Sequence, residues 1–587
     1  MKQFFKFMFA SMLGFIIGGI ILLFLLIGMI ASIASFSKEQ TIVKPNTVLH
    51  IKLDQPISDR NPKNPFASYD FSGFKSNPGL NEILKNIDKA AKDPNISGIL
   101  FEPSAVSVGL STLGEIRESL EKFKESGKFI ISYSENYFQS SYYLATVADK
   151  VYLNPEGSFE LKGLSVRAVF LKGLLEKLDI EPQVISYGKY KSAADPLIFD
   201  KLTEANREQL SVYINNAWQN ILETIANSRN LTVEELNAIA DNYKVEFAND
   251  AFEHKLVDAL CYKDQLFKEL KERIGIEQDT ELKLMEIGKY LNAPALRDGK
   301  ARSRNKIAVV YAQGNIISGK GDETTIGSES ISATIRKARE DKNVKAIVLR
   351  VNSGGGSALA SDVILREILL AKAEKPVVAS FGDVAASGGY YIACGADKIL
   401  ATPTTLTGSI GVIGMIPNMK NFFNNKLGVK FDHILTNEYA DFIPFDRPLN
   451  SQEKDILRRM IDNTYDVFIT HVSNGRNINK EMVDKIGQGR IWAGNDALEI
   501  GLIDKIGGLQ DAVDLAAELA GLTDWRITEL PEQKDFLTMI MEDMQNEAVK
   551  KSINVEMGEY YKYYQYLKNA ASFQGIQARI PFEIEID

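Results

Sequence analysis

Two glycine-rich segments in the second half of this 587-residue chain hold the residue types that could carry nucleophilic chemistry. In Gly382-Asp383-Val384-Ala385-Ala386-Ser387-Gly388-Gly389-Tyr390-Tyr391, a serine stands immediately ahead of an apolar stretch, 388–396, that reads as a helix. A serine at that junction presents its Oγ beside backbone N–H groups that have no partner within the helix, which suits a nucleophile with an adjacent oxyanion hole. The other segment is Arg350-Val351-Asn352-Ser353-Gly354-Gly355-Gly356-Ser357. A phosphate cradle would use similar glycines, but neither segment has the Gly-Lys-Ser/Thr ending of a nucleotide-binding loop or a Gly-x-Gly-x-x-Gly. A Ser-Gly-Gly turn also serves as a tight packing junction, so the serine needs a base before it reads as catalytic.

Histidine is a poor source of that base. The four histidines stand at 50, 254, 433 and 471, and only His433 is near Ser387 in sequence. No HxxxH or CxxC spacing occurs, which argues against a zinc site and for chemistry without a metal. The other established base for a serine is a lysine kept neutral by burial. Val184-Ile185-Ser186-Tyr187-Gly188-Lys189-Tyr190-Lys191-Ser192-Ala193-Ala194-Asp195-Pro196 ends a strand and places Lys191 among Tyr, Ser and Ala rather than on a charged helix face. Composition alone equally allows Lys191 to be an exposed surface lysine.

An internal duplication separates these readings. Tyr142-Tyr143-Leu144-Ala145 with Ala148-Asp149-Lys150 recurs as Tyr390-Tyr391-Ile392-Ala393 with Ala396-Asp397-Lys398, an offset of 248. Asn249-Asp250-Ala251 and Leu256-Val257-Asp258 recur at an offset of 246 as Asn495-Asp496-Ala497 and Leu502-Ile503-Asp504. In this alignment Ser387 falls opposite Gln139, and Lys191 opposite Ala440. Each copy lacks what the other has, which fits one composite site better than two decayed ones.

The elements that must position these residues follow from periodicity. Short β-branched runs (306–311, 346–351, 376–380) alternate with helical stretches (330–340, 358–373), the rhythm of an α/β fold with a mostly parallel sheet. In such folds sites gather at the carboxyl ends of strands, where both glycine-rich segments lie. The body divides into two copies of one domain, 45–290 and 305–525, followed by a tail, 526–587.

Upstream, no charged residue occurs from 7 to 37, long enough to cross a bilayer, and Lys2 and Lys6 precede the run. That predicts a single-pass anchor over 1–40 with a cytoplasmic N-terminus and the body outside the cytoplasm; the alternative is a cleaved signal peptide. A net charge of −9 without a basic block leaves nucleic acid out as a partner. Two cysteines, Cys261 and Cys394, cannot form a disulfide framework, although a single bridge between them is open. The aromatic run 559–567 in the tail suggests docking against protein or a membrane interface.

At these residues the chain resembles a known family. Tyr190-Lys191-Ser192-Ala193-Ala194-Asp195-Pro196, Asp383-Val384-Ala385-Ala386-Ser387-Gly388-Gly389-Tyr390 and Gly408-Ser409-Ile410-Gly411-Val412 are similar to motifs of the long, duplicated members of peptidase family S49, bacterial Ser-Lys signal peptide peptidases. The resemblance covers about 45–525 together with the anchor. It implies tandem Clp-protease/crotonase-like domains, a homotetrameric bowl on the inner membrane, no cofactor, and substrates that are remnant signal peptides. It also implies Ser387 as nucleophile, Lys191 as general base, Ser409 orienting the lysine, and the N–H groups of Gly388 and Gly355 binding the oxyanion. One difference stands: the family usually has Ser-Pro-Gly-Gly where this chain has Ser353-Gly354-Gly355-Gly356, a turn without proline's fixed φ. Two rival readings of the same fold are acyl-CoA chemistry, which the predicted anchor places on the wrong side of the membrane, and a non-catalytic membrane scaffold, which would not need both motifs intact.

Overall fold

The computed structural model describes residues 41–61, 78–294 and 303–533 apart from positions 105, 107 and 323, together with 576–579 and most positions from 3 to 22. The anchor read at 1–40 and the aromatic run 559–567 fall mainly or wholly outside the described residues; positions 10–15 and 17–22 are helical. Among the described residues no helix is long and apolar enough to cross a membrane.

Each half builds a parallel sheet from the apolar runs. The first sheet runs Ala259–Leu260, Lys150–Phe159, Phe129–Tyr137, Ile96–Phe101, Thr47–Ile51, Leu284–Glu286, with every pairing parallel. In the second half the path is Ile491–Ala493, Leu406–Gly408, Val377–Ala386, Val344–Ser353, Lys306–Gln313, Arg526–Leu530, parallel except where Leu406–Gly408 meets Ile491–Ala493. The last strand lies just past residue 525. The central strands carry near-continuous apolar runs because helices cover both faces, and Ile347, Val348, Leu349 and Val351 are all fully buried.

The duplication reappears in individual bonds. Tyr142 donates its hydroxyl hydrogen to Leu256 O at 2.7 Å, and Tyr390 to Leu502 O at 2.8 Å. Asp258 accepts from Val151 N–H at 2.8 Å, and Asp504 from Ile399 N–H at 2.9 Å. The 26-residue helices Glu204–Arg229 and Ser451–Arg476 both end on an asparagine in the left-handed region, Asn230 at φ +52° and Asn477 at φ +54°. The repeated Tyr-Tyr and Leu-x-Asp motifs therefore staple helix to strand in each half, and Tyr390 and Tyr391 are core residues.

A third sheet joins the halves: Thr325–Gly327, Asn315–Ile317, Gly355–Ser357, Ile576–Arg579, Val412–Asn418 and Glu181–Tyr187. Only its last strand comes from the first half, paired antiparallel with Val412–Asn418 from Val412↔Tyr187 to Asn418↔Glu181. Elsewhere the seam is partly apolar, with Leu210 and Tyr213 packed in one cluster with Ala386, Leu406 and Ile491, and partly polar. Arg350, fully buried, reaches Asp59 at 2.7 Å and Glu115 at 2.6 Å, while Asp383 accepts from Thr112 N–H at 2.9 Å and Oγ1–H at 2.7 Å.

Candidate active site

The strand Val377–Ala386 runs on to Ser387 beyond the end read from its apolar run, and the helix Gly388–Ala393 begins at the next residue. Ser387 has φ +56° and ψ −116°, a conformation that L-residues rarely adopt and that only a fixed surround maintains. The surround here is hydrogen-bonded: Ser387 N–H donates to Gly408 O at 2.8 Å, and Ser387 O accepts from Tyr391 N–H at 2.8 Å. A Cβ on Gly389 would stand 2.4 Å from Ser353 O, so the Ser-Gly-Gly turn is also a tight packing junction.

Lys191 follows the strand Glu181–Tyr187 and is carried across the seam by second-half backbone. Tyr190 N–H donates to Gln488 O at 2.8 Å, and Gln209, buried on the helix Glu204–Arg229, donates to Tyr190 O at 3.2 Å. Gly489, at φ +78°, lies so close that a Cβ there would sit 2.6 Å from Lys191 Cα. The same segment holds Ser409, whose N–H donates to Arg490 O at 2.7 Å and whose φ is +48°. Gln209, Gln488 and Gly489 did not stand out in the sequence. The Gly487-Gln488-Gly489 spacing is the one signal that could have pointed to a close backbone approach.

The two halves thus bring Lys191 Nζ to 2.7 Å from Ser387 Oγ, and to 3.1 Å from both Ser409 O and Ser409 Oγ. Ser387 and Ser409 are fully buried and Lys191 is 5% exposed. Burial without a carboxylate partner pushes the Lys191 ammonium well below the ordinary lysine value. A neutral amine has two N–H groups and one lone pair. With the N–H groups directed to the two Ser409 oxygens, the lone pair is left to accept the Ser387 hydroxyl hydrogen, the arrangement an activated serine needs. The surface-lysine alternative does not hold.

His433 is elsewhere: its ring Nε2 pairs with Asp446 at 2.6 Å. Cys261 and Cys394 are both free thiols, and Cys394 is buried with its S–H directed to Tyr391 O at 3.2 Å. Among the described residues no group of three or more His, Cys, Asp or Glu could hold a metal ion.

The two glycines expected at the oxyanion lie side by side. A Cβ on Gly355 would be 2.7 Å from Gly388 N, so Gly355 and Gly388 form one face of the site. Gly354 stands where the family usually has proline, and the turn is held at the next residue, Gly355 (φ +100°), whose N–H donates to Ser353 Oγ at 3.1 Å. Ser353 Oγ–H in turn donates to Gly314 O at 2.6 Å, which ties the turn to the neighbouring strand end.

Comparison of the sequence with a family model agrees with the duplication. The family model of peptidase family S49 matches twice, at residues 122–277 and 370–523. Protease 4 of Salmonella typhi is 38% identical over 79% of this chain and 76% of its own length. The chloroplastic serine protease SPPA of Arabidopsis thaliana is 36% identical over 82% of this chain and 70% of its own. A putative signal peptide peptidase SppA of Enterococcus faecium is 35% identical over 38% of this chain and 67% of its own. Among solved structures, a ClpP1 mutant of Listeria monocytogenes matches over 35% of this chain and 94% of its own at 17% identity and a TM-score of 0.24.

Proposed function

The chain belongs to peptidase family S49 and is a serine protease; from that premise we propose that it is a membrane-anchored endopeptidase with a Ser387–Lys191 dyad, acting on apolar, signal-peptide-like segments. The observation that carries this reading is the 2.7 Å separation of Lys191 Nζ and Ser387 Oγ inside a buried site with no competing carboxylate. Ser387 Oγ attacks the peptide carbonyl while Lys191 takes its proton. The lysine then protonates the leaving amine, and a water, deprotonated by Lys191, hydrolyses the acyl-enzyme. Ser409 holds the amine through two acceptors, and the N–H groups of Gly388 and Gly355 face the oxygen as charge develops, the Gly355 amide exchanging its bond to Ser353 Oγ.

Membrane anchoring is supported by the uncharged run 7–37 behind Lys2 and Lys6, and by described side chains within it, such as Phe7, Phe15 and Leu22, that are exposed. The body would then stand on the outer face of the inner membrane. Assembly into a homotetramer is supported by exposed Leu427, Phe431, Ile434, Leu435, Ile443 and Phe445, an apolar surface of the kind subunits cover. Apolar signal-peptide-like substrates suit a site tethered where such peptides leave the bilayer; no nucleic acid or cofactor enters the scheme.

The test pairs activity with topology. Ser387→Ala should abolish hydrolysis of a signal-peptide-like substrate in detergent, and protease added to intact spheroplasts should digest the body while protecting a short N-terminal fragment. Undiminished hydrolysis by Ser387→Ala would refute the dyad, and full protection of the body would refute the orientation.

A further inference from the structure

A single buried glutamine joins the two segments that bring the dyad together. Gln209 lies near the start of the helix Glu204–Arg229 and is 1% exposed. A primary amide carries two donor hydrogens and an acceptor oxygen, and burying it unpaired is costly, so its partners show what it does there. Its Oε1 accepts from Ile491 N–H at 3.1 Å. Its Nε2 lies 3.2 Å from Tyr190 O, 3.4 Å from Ser192 Oγ and 3.1 Å from Asn206 Oδ1, three acceptors for two hydrogens. Only one orientation of the amide satisfies these partners, because a backbone N–H can only donate and a backbone carbonyl can only accept.

The partners belong to both sides of the dyad. Tyr190 and Ser192 flank Lys191. Ile491 follows Arg490, whose carbonyl accepts from Ser409 N–H at 2.7 Å, and it opens the strand paired with Leu406–Gly408 in the register Gly408↔Ile491. Gly408 O in turn accepts from Ser387 N–H at 2.8 Å. One first-half side chain thus ties the backbone that carries the base to the backbone that holds both serines. The charged groups around it are engaged elsewhere. Arg490 packs its guanidinium on the Tyr190 and Trp492 rings and reaches Glu208 at 3.3 Å, Lys189 rests on the Tyr190 ring, and Asp195 accepts from Thr203 Oγ1–H at 3.1 Å. Leu210 and Tyr213 of the same helix pack with Ala386, Leu406 and Ile491, so the junction is apolar on that side.

We propose that Gln209 is a positioning residue of the active site: its amide fastens the lysine loop to the Ile491 strand and so keeps the Lys191 amine at Ser387 and away from water. The proposal rests on the Ser387–Lys191 reading and adds to it a residue that bonds to the neighbours of the reacting groups rather than to the groups themselves. Without the amide, Tyr190 O and Ile491 N–H are left unpaired inside the protein, and the loop relieves them by moving or by admitting water. Movement lengthens the Nζ–Oγ contact, and a displacement of about 1 Å can cost about 10² in rate. Water favours the charged ammonium and returns the lysine towards its ordinary value. Neither consequence alters substrate binding.

Gln209→Met, similar in length but unable to form these bonds, is compared with Tyr213→Phe, which removes a 2.9 Å hydrogen bond from the next turn of the same helix to Thr404 O and leaves the lysine loop untouched. The full-length proteins in detergent are assayed on a quenched fluorescent signal-peptide-like peptide from neutral to alkaline pH, with Tm recorded for each. In Gln209→Met, kcat at neutral pH is expected to fall by at least about tenfold with KM within about twofold of the parent, and the rise of kcat/KM to move to higher pH. Tyr213→Phe should keep the parent kcat and pH profile whatever Tm it loses. Gln209→Ala leaves room for water to pair the two backbone groups, which spares the fold, and should show the same displaced profile if the methionine variant does not fold. An unmoved pH profile in a folded Gln209 variant, a loss confined to KM, or an equal loss of kcat in Tyr213→Phe would overturn the positioning role. Ser387→Ala and Lys191→Ala are measured alongside: undiminished activity in either removes the dyad itself, whereas inactive dyad variants beside a normal Gln209→Met remove this proposal alone.

Discussion

Lys191 Nζ lies 2.7 Å from Ser387 Oγ although 196 residues separate them in the chain, and the two arrive from different halves of a duplicated molecule. For lysine to serve as base it must lose its proton near neutral pH, and arginine cannot do so. Lys191→Arg is expected to fold yet be as inactive as Lys191→Ala, with turnover down by at least about 10². Lys189→Arg, whose parent side chain rests exposed on the Tyr190 ring, should keep its activity. Steady-state hydrolysis with circular dichroism as the folding control checks both.

Burial lowers the Lys191 pKa, and this sets a pH dependence of both rate and stability. If Lys191 is the proposed base it acts once neutral, so kcat/KM should rise with pH through the lowered value and level off well below the ordinary lysine value of about 10.4. Stability moves the same way. Below about 10.4 the unfolded chain binds a proton on Lys191 that the folded chain refuses down to its lowered pKa, so stability is lost as pH falls through that window. Lys191→Met should therefore melt higher than the parent at neutral pH, with the gap closing towards pH 10; an unchanged or lower Tm would mean the lysine is charged in the fold.

Gly489 gives the Lys191 backbone its room. At φ +78°, with a Cβ placed 2.6 Å from Lys191 Cα, Gly489→Ala must displace the lysine loop or strain its own backbone, at about 1–3 kcal/mol. Activity should fall by at least about tenfold while the sheets persist. Gly127→Ala, also at positive φ but with open space around its Cβ, is the control for backbone strain alone.

Arg350 is the one cation shared by two buried carboxyl groups, Asp59 and Glu115, across the seam between the halves, and burial pushes the Glu115 carboxyl above its usual range. Removing it as Arg350→Met leaves both without their cation and should destabilise the protein by about 3–5 kcal/mol. The triple variant with Asp59→Asn and Glu115→Gln should recover most of that loss, measured as Tm by differential scanning calorimetry.

A composite site also predicts that neither half works alone. A fragment of residues 305–587 should not hydrolyse peptide, since Lys191 is absent and the aligned position is Ala440. An anchorless chain starting near Lys38 should retain activity; an active 305–587 fragment would place the base elsewhere.

Sequence by itself determined the α/β class, the duplication, and the reciprocal placing of Ser387 and Lys191, because periodicity and repeat offset are local properties that survive in one dimension. Within the glycine-rich segments it was the resemblance to the family that marked Gly355 and Gly388. What tertiary structure alone decided is how a lysine on a first-half loop meets a serine on a second-half strand. That meeting depends on backbone carbonyls of Gln488 and Arg490, which any residue type supplies and which leave no mark in the letters. The same holds for Ile576–Arg579: its place between two strands is set by main-chain hydrogen bonds, and four residues without a periodic pattern reveal nothing until the slot that receives them is formed. Burial of Lys191, and with it the proton chemistry of the site, likewise exists only once both halves have closed around it.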